Sequence, residues 1–409
     1  MMNAQIFLID MQSFYANIEK ALHPQLQNQP VVISGDPKRR SGIILAACPI
    51  AKSYGIQNAI PLWEAQKRCP HLVVLRPRMQ LYLDVSLRLT QILERFSDQV
   101  EPYSIDEQFI DIKGSESLFG SPDQIAQNIQ STIYKELHLN ARIGMGPNKV
   151  LAKMACDHFA KKNQSGIFYL GPENIQTHLW PLPVEKCFGV GSRMCRHLQK
   201  IGIQTIGELA NFPLPLLKKY WGINGHVLWM TANGLDQSPV TSQSFGTHKG
   251  IGHQITLPYN YCTSEEIEIV LLELCEEVCQ RSRRYHLAGK TITVHCRNDF
   301  QTKGGFTRQV SLDSFSNQTL QIFTYAKKCF FRFWNGEPVR SIGLRLSNLR
   351  SDDNVQLNLF EDVERKRKLG YVMDQIKQQF GLTAIFWASS LLPAGQAKIR
   401  AQKIGGHFK

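Results

Sequence analysis

The stretch Tyr103-Ser104-Ile105-Asp106-Glu107-Gln108-Phe109-Ile110-Asp111-Ile112 decides how this chain is read. It is rich in aromatic and β-branched residues, the composition of a strand. Two adjacent acids, Asp106 and Glu107, interrupt it. Neighbouring carboxylates repel each other and are not buried together unless a cation sits between them. On a regular strand, adjacent side chains also face opposite sides. If both acids serve one site, the backbone must turn, which predicts a hairpin corner at Ser104–Glu107 aiming both carboxylates at a further acid. Asp111 is not needed by such a site and reads as a solvated strand residue.

The further acid lies near the start of the chain. Ile6-Phe7-Leu8-Ile9 is a continuous apolar run of the kind found in buried central strands, and Asp10 stands at its C-terminal end. Sheets in α/β folds present ligand-binding groups at that end. Taken alone, Asp10 reads as the N-cap of the helix that follows to Leu22. Taken with Asp106 and Glu107, it reads as a metal ligand. Three acids from two strands suit two divalent cations roughly 3.5–4 Å apart. Oxygen ligands of this hardness select Mg²⁺, with Mn²⁺ as the alternative. Such a site would activate a 3′-hydroxyl and neutralise a triphosphate, with lysines on neighbouring segments adding charge. Tyr15, close to Asp10, is either a core aromatic or a platform under the incoming sugar that excludes a 2′-hydroxyl.

Composition narrows the partners. The 409 residues allow several domains, and 43% hydrophobic with 20% charged residues is the balance of packed globular units. A formal net charge of +13 points to a polyanion. Nucleic acid is favoured over a membrane surface, because no basic amphipathic helix with a sustained apolar face is apparent in the pattern. The 10 cysteines contain no C-x-x-C pair and read as reduced core thiols. No run is long enough to span a bilayer, and the apolar run before Asp10 is too short for a signal peptide. The expected location is the cytoplasm.

Strand and helix patterns alternate around one sheet over residues 1–20 and 79–168, with a small lobe inserted at 21–78. Within that lobe, the basic loop Gly35 to Gly42 is either a solvated hairpin tip or a phosphate contact. Residues 169–236 become short helices. Phe188-Gly189-Val190-Gly191-Ser192-Arg193 joins two of them, and such a turn exposes backbone N–H groups that can hold a phosphate. An ordinary helical hairpin would look the same. Residues 237–245 read as a polar linker. Residues 246–348 follow the order strand-helix-strand-strand-helix-strand, a split βαβ sheet with helices on one face. The first helix pattern of this unit, with its apolar stripe from Ile267 to Val278, follows a capping box at Thr263–Glu266. Arg308, Lys327, Lys328, Arg332, Arg340 and Arg345 make this unit basic, as a solvated face or as a DNA-backbone surface. In the remainder, 349–409, Gln356-Leu357-Asn358-Leu359-Phe360 sits beside a polar break. It either packs back on the fold or docks its leucines and phenylalanine into a partner. The end, Lys398–Lys409, is expected to be mobile.

Three motifs together carry a resemblance: Asp10-Met11-Gln12-Ser13-Phe14-Tyr15-Ala16, Tyr103-Ser104-Ile105-Asp106-Glu107, and Gly144-Met145-Gly146-Pro147-Asn148-Lys149-Val150-Leu151-Ala152-Lys153. They resemble the Y-family of translesion DNA polymerases, in the UmuC branch and most of all the Gram-positive UvrX-type UV-damage repair proteins. The resemblance implies an α+β multidomain right hand with a ferredoxin-like palm, small fingers, a helix-hairpin-helix thumb and a split-βαβ little finger. It implies error-prone, two-metal nucleotidyl transfer to a primer 3′ end, without proofreading, as a DNA-directed DNA polymerase in SOS mutagenesis. Carried over by position, Asp10, Asp106 and Glu107 are catalytic metal ligands assisted by the Met11 carbonyl, and Tyr15 is the sugar gate. Phe14, Tyr15, Lys52 and Lys161 fall at the triphosphate. Gly189, Gly191, Arg193, Arg308 and Arg340 fall at the DNA backbone, and Gln356, Leu357, Leu359 and Phe360 at the sliding clamp (its beta subunit). The implied partners are primer-template DNA, a dNTP and the clamp, with RecA as a further candidate, no membrane, and a monomeric enzyme. One departure stands out. Many relatives have Asn-Tyr-Glu-Ala-Arg where this chain has Cys48-Pro49-Ile50-Ala51-Lys52, and lysine lacks arginine's bidentate fork. The rival readings are an idle DNA-binding or clamp-binding protein and another two-metal enzyme, a nuclease or nucleotidyl cyclase.

Overall fold

The computed structural model describes residues 5–35, 42–242, 248–299, 301–302, 304–353 and 363–409. Strand β1 (Ile6–Met11) leads into helix α1 (Phe14–Leu22). The inserted lobe then holds β2 (Val31–Ser34), β3 (Ile44–Ala47), α2 (Pro49–Ser53), α3 (Leu62–Arg68) and β4 (Val73–Leu75). The chain returns through α4 (Met79–Leu93), β5 (Gln99–Pro102), β6 (Glu107–Asp111), α5 (Glu116–Phe119), α6 (Pro122–Leu137), β7 (Ala141–Gly146), α7 (Lys149–Ala155) and β8 (Ile167–Tyr169). These returning strands and β1 form one sheet in the order β5-β6-β1-β7-β8, while the lobe has its own sheet, β3-β2-β4.

Strand β1 is buried along its whole length, as its apolar run demands. Its two faces serve different neighbours. Phe7, Ile9 and Met11 enter the large core shared with the inserted lobe. Ile6 and Leu8 enter a small cluster with Phe109, Ala152 and Cys156, beneath α7. Because side chains alternate with period two, Asp10 falls on the face of Ile6 and Leu8. On β6 the same alternation puts Glu107 with Phe109 on that face. Asp10 and Glu107 are paired opposite each other in the antiparallel register.

The acidic stretch is not one strand. Residues 103–106 form the turn of the β5–β6 hairpin, and Glu107 is the first residue of β6. The Ser104 hydroxyl fixes this turn by accepting from the Glu107 N–H at 3.0 Å. The corner therefore lies where the paired acids require it. Asp111 binds the Lys113 N–H at the far end of β6, away from the acids.

Four short helices follow, α8 (Ser192–Lys200), α9 (Ile206–Asn211), α10 (Leu214–Trp221) and α11 (Ile223–Ala232), around a core shared with Leu151, Met154 and Ala155 of α7. The segment read as a free linker is anchored where it is described. Lys149 Nζ donates to the Pro239 carbonyl at 2.9 Å, the Thr241 N–H donates to Glu101 at 3.0 Å, and Val240 is buried. Val240 joins a core cluster, which composition alone does not reveal.

The next unit contains β9 (Gly250–Tyr261), α12 (Ser264–Arg284), β10 (Leu287–Asn298), β11 (Gly305–Ser316), α13 (Thr319–Phe333) and β12 (Val339–Ser351). Its sheet order, β11-β10-β12-β9, splits both βαβ crossovers around an intervening strand. Thr263 and Glu266 form the expected capping box, and Ile267, Val270, Leu271, Leu274 and Val278 are fully buried.

The end of the chain is ordered, contrary to the mobile tail expected from its composition. Helix α14 (Val363–Phe380) is held on α12 by Arg283–Asp374 at 2.6 Å and Lys377–Glu276 at 2.7 Å. Beyond it, α15 (Ala397–Arg400) precedes a small hairpin of β13 (Lys403–Ile404) and β14 (His407–Phe408). Ile404 packs against the large core that β1 shares with the inserted lobe, and Arg76 lies 5.7 Å from the centre of the Phe408 ring. The tail thus touches both the last unit and the first.

Candidate active site

Asp10 and Glu107 project from adjacent strand ends toward α7, and α7 completes the site. Its last turns widen into a π-helix, Cys156–Ala160, in which the Lys161 N–H reaches the Cys156 carbonyl at 3.2 Å. Such π turns are uncommon and concentrate at functional sites. Two strand glycines let this helix approach the sheet. A Cβ at Gly144 would meet the Ala152 carbonyl oxygen at 2.1 Å, and one at Gly146 would meet the Ala152 nitrogen at 2.9 Å. The close approach brings Lys153, Asp157 and Lys161, spaced four apart on one helical face, onto the acids.

The resulting contacts form a chain of alternating charge that runs from Asp10 to Glu107. Lys161 Nζ sits 2.7 Å from Asp10 Oδ2 and 2.7 Å from Asp157 Oδ1. Lys153 Nζ sits 3.4 Å from Asp157 Oδ2 and 2.8 Å from Glu107 Oε1. Carboxylate oxygens of Asp10, Glu107 and Asp157 lie within 4.8 Å of one another. Within it, the Asp10 and Glu107 oxygens are hard donors close enough to share a cation, so these two residues fit the divalent ions that the acid pattern implies.

Burial dominates the electrostatics of Asp10, which is 6% exposed. It pushes the Asp10 carboxyl up to about 6, against the opposing pull of Lys161, while Glu107 raises it further. Burial also disfavours the Lys161 charge, but Asp10 and Asp157 outweigh it and hold the ammonium above its ordinary range. Lys153 is raised in the same way, with Glu107 and Asp157 overcoming burial. Asp157 is lowered, because the two lysines overcome its burial.

Asp106 stands slightly apart. It is not one of the three acids that converge within ligand distance of each other, and its Oδ1 accepts from the Ser104 hydroxyl at 2.6 Å. Its backbone carbonyl accepts from the Met11 N–H at 3.0 Å, which ties the turn to the end of β1. The expected corner thus aims Glu107 at Asp10 and leaves Asp106 on the side of Tyr15. After burial, the Asp106 charge is the second cause that raises the Tyr15 phenol.

Tyr15, on α1, is half-buried and stacks on Tyr82 with ring centroids 4.5 Å apart and planes 15° apart. Tyr82 is fully buried, and its hydroxyl donates to Glu19 at 2.8 Å. Arg78 grips the same carboxylate at 3.0 and 2.5 Å. Phe14 is placed differently from expectation: its ring is buried in the core, which leaves only its main chain to a ligand. Lys52 is exposed on α2 and donates to the Ser13 hydroxyl at 2.9 Å, at the turn between Asp10 and Tyr15.

Gly189 has φ +88°, and a side chain there would be strained. Gly191 is the N-cap of α8, with Arg193 exposed in its first turn. Arg308 is exposed on the edge strand β11, its guanidinium 4.9 Å from the centre of the Phe333 ring. Arg340 corrects the expectation of a DNA-facing residue. It is 7% exposed, and its guanidinium donates to the Leu257 carbonyl inside the sheet. The loop residues 36–41 and the peptide Gln356–Phe360 lie outside the described residues.

Asp157, Lys153 and Tyr82 are site residues that the sequence reading did not single out. The four-residue spacing of Lys153, Asp157 and Lys161 was a usable signal, since it places all three on one helical face. Nothing local marked Tyr82, which becomes a site residue only through its stack with Tyr15.

Comparison with known proteins agrees with this geometry. Residues 9–157 match the impB/mucB/samB family and residues 248–359 match the C-terminal domain of that family. A Bacillus subtilis (strain 168) protein named DNA polymerase IV 2 is 59% identical over 406 residues, covering 99% of this chain and 98% of its own. A DNA polymerase IV 2 of Halalkalibacterium halodurans is 53% identical over 409 residues, covering 100% of both chains. A Bacillus subtilis protein bearing the UvrX name is 39% identical over 411 residues, covering 98% of this chain and 97% of its own. The UvrX likeness is therefore real but weaker than the likeness to the polymerase IV 2 proteins. Among solved structures, a Y-family DNA polymerase chimera superposes with TM-score 0.71 at 23% identity, covering 84% of this chain and 98% of its own.

Proposed function

The chain belongs to the impB/mucB/samB family, the Y-family DNA polymerases, and from that premise we infer that it extends a primer 3′ end opposite damaged template bases. It is a DNA-directed DNA polymerase of the error-prone, translesion kind. The observation that carries our site assignment is the cross-strand pair of Asp10 and Glu107, two acids opposed in register with oxygen donors converging. Opposed like charges destabilise a sheet, and here Lys161 and Lys153 offset them in the place a cation would take.

Divalent cations serve this family, and we assign two Mg²⁺, or Mn²⁺ in their place, to Asp10, Asp106, Glu107 and the Met11 carbonyl. When bound, they supply Lewis-acid activation of the 3′-hydroxyl and neutralisation of the triphosphate. The protein's own groups do the remaining work. Tyr15, backed by Tyr82, closes the space beside the sugar against a 2′-hydroxyl. Lys52 and Lys161 provide positive charge to the triphosphate, as point charges without arginine's fork. The Phe14 main chain, held by its buried ring, lines the same turn.

We assign residues 1–20 and 79–168 to the palm, 21–78 to the fingers, 169–236 to the thumb and 246–348 to the little finger. Gly189, Gly191, Arg193 and Arg308 would hold the DNA backbone, contacts that position without reading sequence. Gln356, Leu357, Leu359 and Phe360 would dock on the sliding clamp, and replacing Leu359 and Phe360 by alanine should weaken that binding by about 2 kcal/mol. RecA is a further candidate partner. No helix among the described residues is long and apolar enough to cross a membrane. We place it in the cytoplasm as a monomeric enzyme; the buried free thiols suit a reducing compartment.

The test is a labelled primer-template incubated with Mg²⁺, with and without dNTPs. Extension that requires dNTPs supports the polymerase. Metal-dependent shortening of the primer without dNTPs would support a nuclease instead, and no change in either lane would leave a DNA-binding protein.

A further inference from the structure

Asp157 lies outside the acid set assigned to the cations, yet it is the acid that contacts both lysines of the site. Lys161 bridges Asp10 and Asp157, and Lys153 bridges Glu107 and Asp157. Each lysine therefore shares its ammonium between an acid on a strand end and the same acid on the helix. A divalent cation and an ammonium repel each other when they compete for one carboxylate. When cations occupy Asp10 and Glu107, the lysines must loosen their hold on those acids. Asp157 is then the carboxylate already in contact with both.

Its position is fixed independently of the strand ends. The π turn Cys156–Ala160 carries it, and the close approach of that turn to Gly144 holds the helix against the sheet. A Cβ at Gly144 would meet the Cys156 nitrogen at 2.3 Å, so there is no slack at the residue preceding Asp157. The side chain itself keeps 28% exposure, on the open side of the site.

We propose that Asp157 is a positioning residue of the polymerase site, a fixed acceptor that retains Lys161 and Lys153 while cations occupy Asp10 and Glu107. The proposal rests on the cation-site reading above and adds a specific consequence. Without Asp157 the two ammonium groups fall back on Asp10 and Glu107 and compete with the cation. Loss of this acid then weakens cation binding although the acid is not itself a ligand. Were Asp157 a ligand, its loss would weaken binding whether or not the lysines were there.

The experiment is a titration with Mn²⁺, followed by the electron paramagnetic resonance of the free ion, on the full chain without DNA or nucleotide. Asp157→Asn is measured in the natural background and in a Lys153→Met/Lys161→Met background. Coupled neighbours give non-additive changes, so Asp157→Asn should weaken Mn²⁺ binding about 10-fold in the natural background and less than about 2-fold without the lysines. Asp157→Glu, which keeps the carboxylate, should restore most of the affinity and guards against a folding defect. The proposal is overturned if Asp157→Asn changes nothing in the natural background, or if it weakens binding equally in both, which would make it a ligand. Asp10→Asn is the separate control. If it leaves Mn²⁺ binding intact, the cation-site reading fails, whatever Asp157 does.

Discussion

The ring of Tyr15 lies flat on that of Tyr82, centroids 4.5 Å apart, and the Tyr82 hydroxyl is bonded to the buried carboxylate of Glu19. The Tyr15 ring, to which we assign the sugar gate, is therefore not a free side chain. A rigid aromatic backs it, and Glu19 and Arg78 brace that aromatic in turn. A gate works by filling space, and filling space requires that the ring not yield.

Tyr15→Ala should open that space. The ratio of kcat/KM for a deoxynucleotide over the matching ribonucleotide is expected to fall by about 100-fold, the scale on which a pocket rejects an added hydroxyl. Steady-state single-nucleotide insertion measures it. An unchanged ratio would return Tyr15 to a purely structural role.

Asp10 makes a prediction about stability. Burial raises its carboxyl to about 6, so folding favours the protonated form. The stabilisation this gives is complete below the ordinary carboxylate value and is lost as pH rises through about 6. In chelator at pH 8, Asp10→Asn should therefore be more stable than the natural chain, by roughly 2 kcal/mol, while inactive. The gap should narrow toward pH 5, and it should narrow in saturating Mg²⁺, which stabilises only the natural chain. Thermal unfolding across pH checks both. A less stable Asp10→Asn at pH 8 would contradict the account.

A buried carboxylate holds the segment around Gln396. Glu273 accepts from the N–H groups of Gln396 and Ala397 at 3.0 and 3.1 Å and faces Arg400. Removing it leaves two donors and a buried cation without this partner. Glu273→Ala should cost about 3 kcal/mol, whereas the exposed Glu265→Ala should cost under about 0.5 kcal/mol. Urea denaturation of the two variants separates them, and equal midpoints would mean that the tail is not held this way.

Two arginines of the β9–β12 unit should behave in opposite ways. Arg308 is exposed on the edge strand, so Arg308→Ala should weaken DNA binding and lower the salt slope by about 1. Arg340 is internal and bonded to the Leu257 carbonyl. Arg340→Ala should lower stability by about 2 kcal/mol and leave the salt slope unchanged. Fluorescence anisotropy over a salt series reads both slopes, and a reduced slope for Arg340→Ala would put it back at the DNA.

These contrasts show what the sequence makes legible. Asp10, Asp106 and Glu107 stand out because charge at the end of an apolar strand has few structural uses. The α12 helix is legible from Thr263 to Val278, because capping and periodicity are local. Arg340 was misjudged because burial is decided by β9, a strand some 80 residues earlier in the chain at Leu257. Lys398–Lys409 reads as mobile by composition, yet Ile404 packs on the large core and Phe408 meets Arg76, both distant in sequence. Tyr82 and Asp157 become site residues only when α4 and the π turn are folded against Tyr15 and Asp10. Local chemistry is written in local sequence, and long-range company is not.

The measurement that tests the central claim most directly is single-turnover insertion by the natural chain and by Glu107→Gln, with DNA affinity measured on the same samples. Glu107 faces Asp10 across the two strands and carries the assignment of the site. Insertion should fall by about 1,000-fold, the upper scale for losing one electrostatic group at a reacting centre, with DNA binding unchanged within about 2-fold. Equal insertion rates for the two proteins would contradict the account.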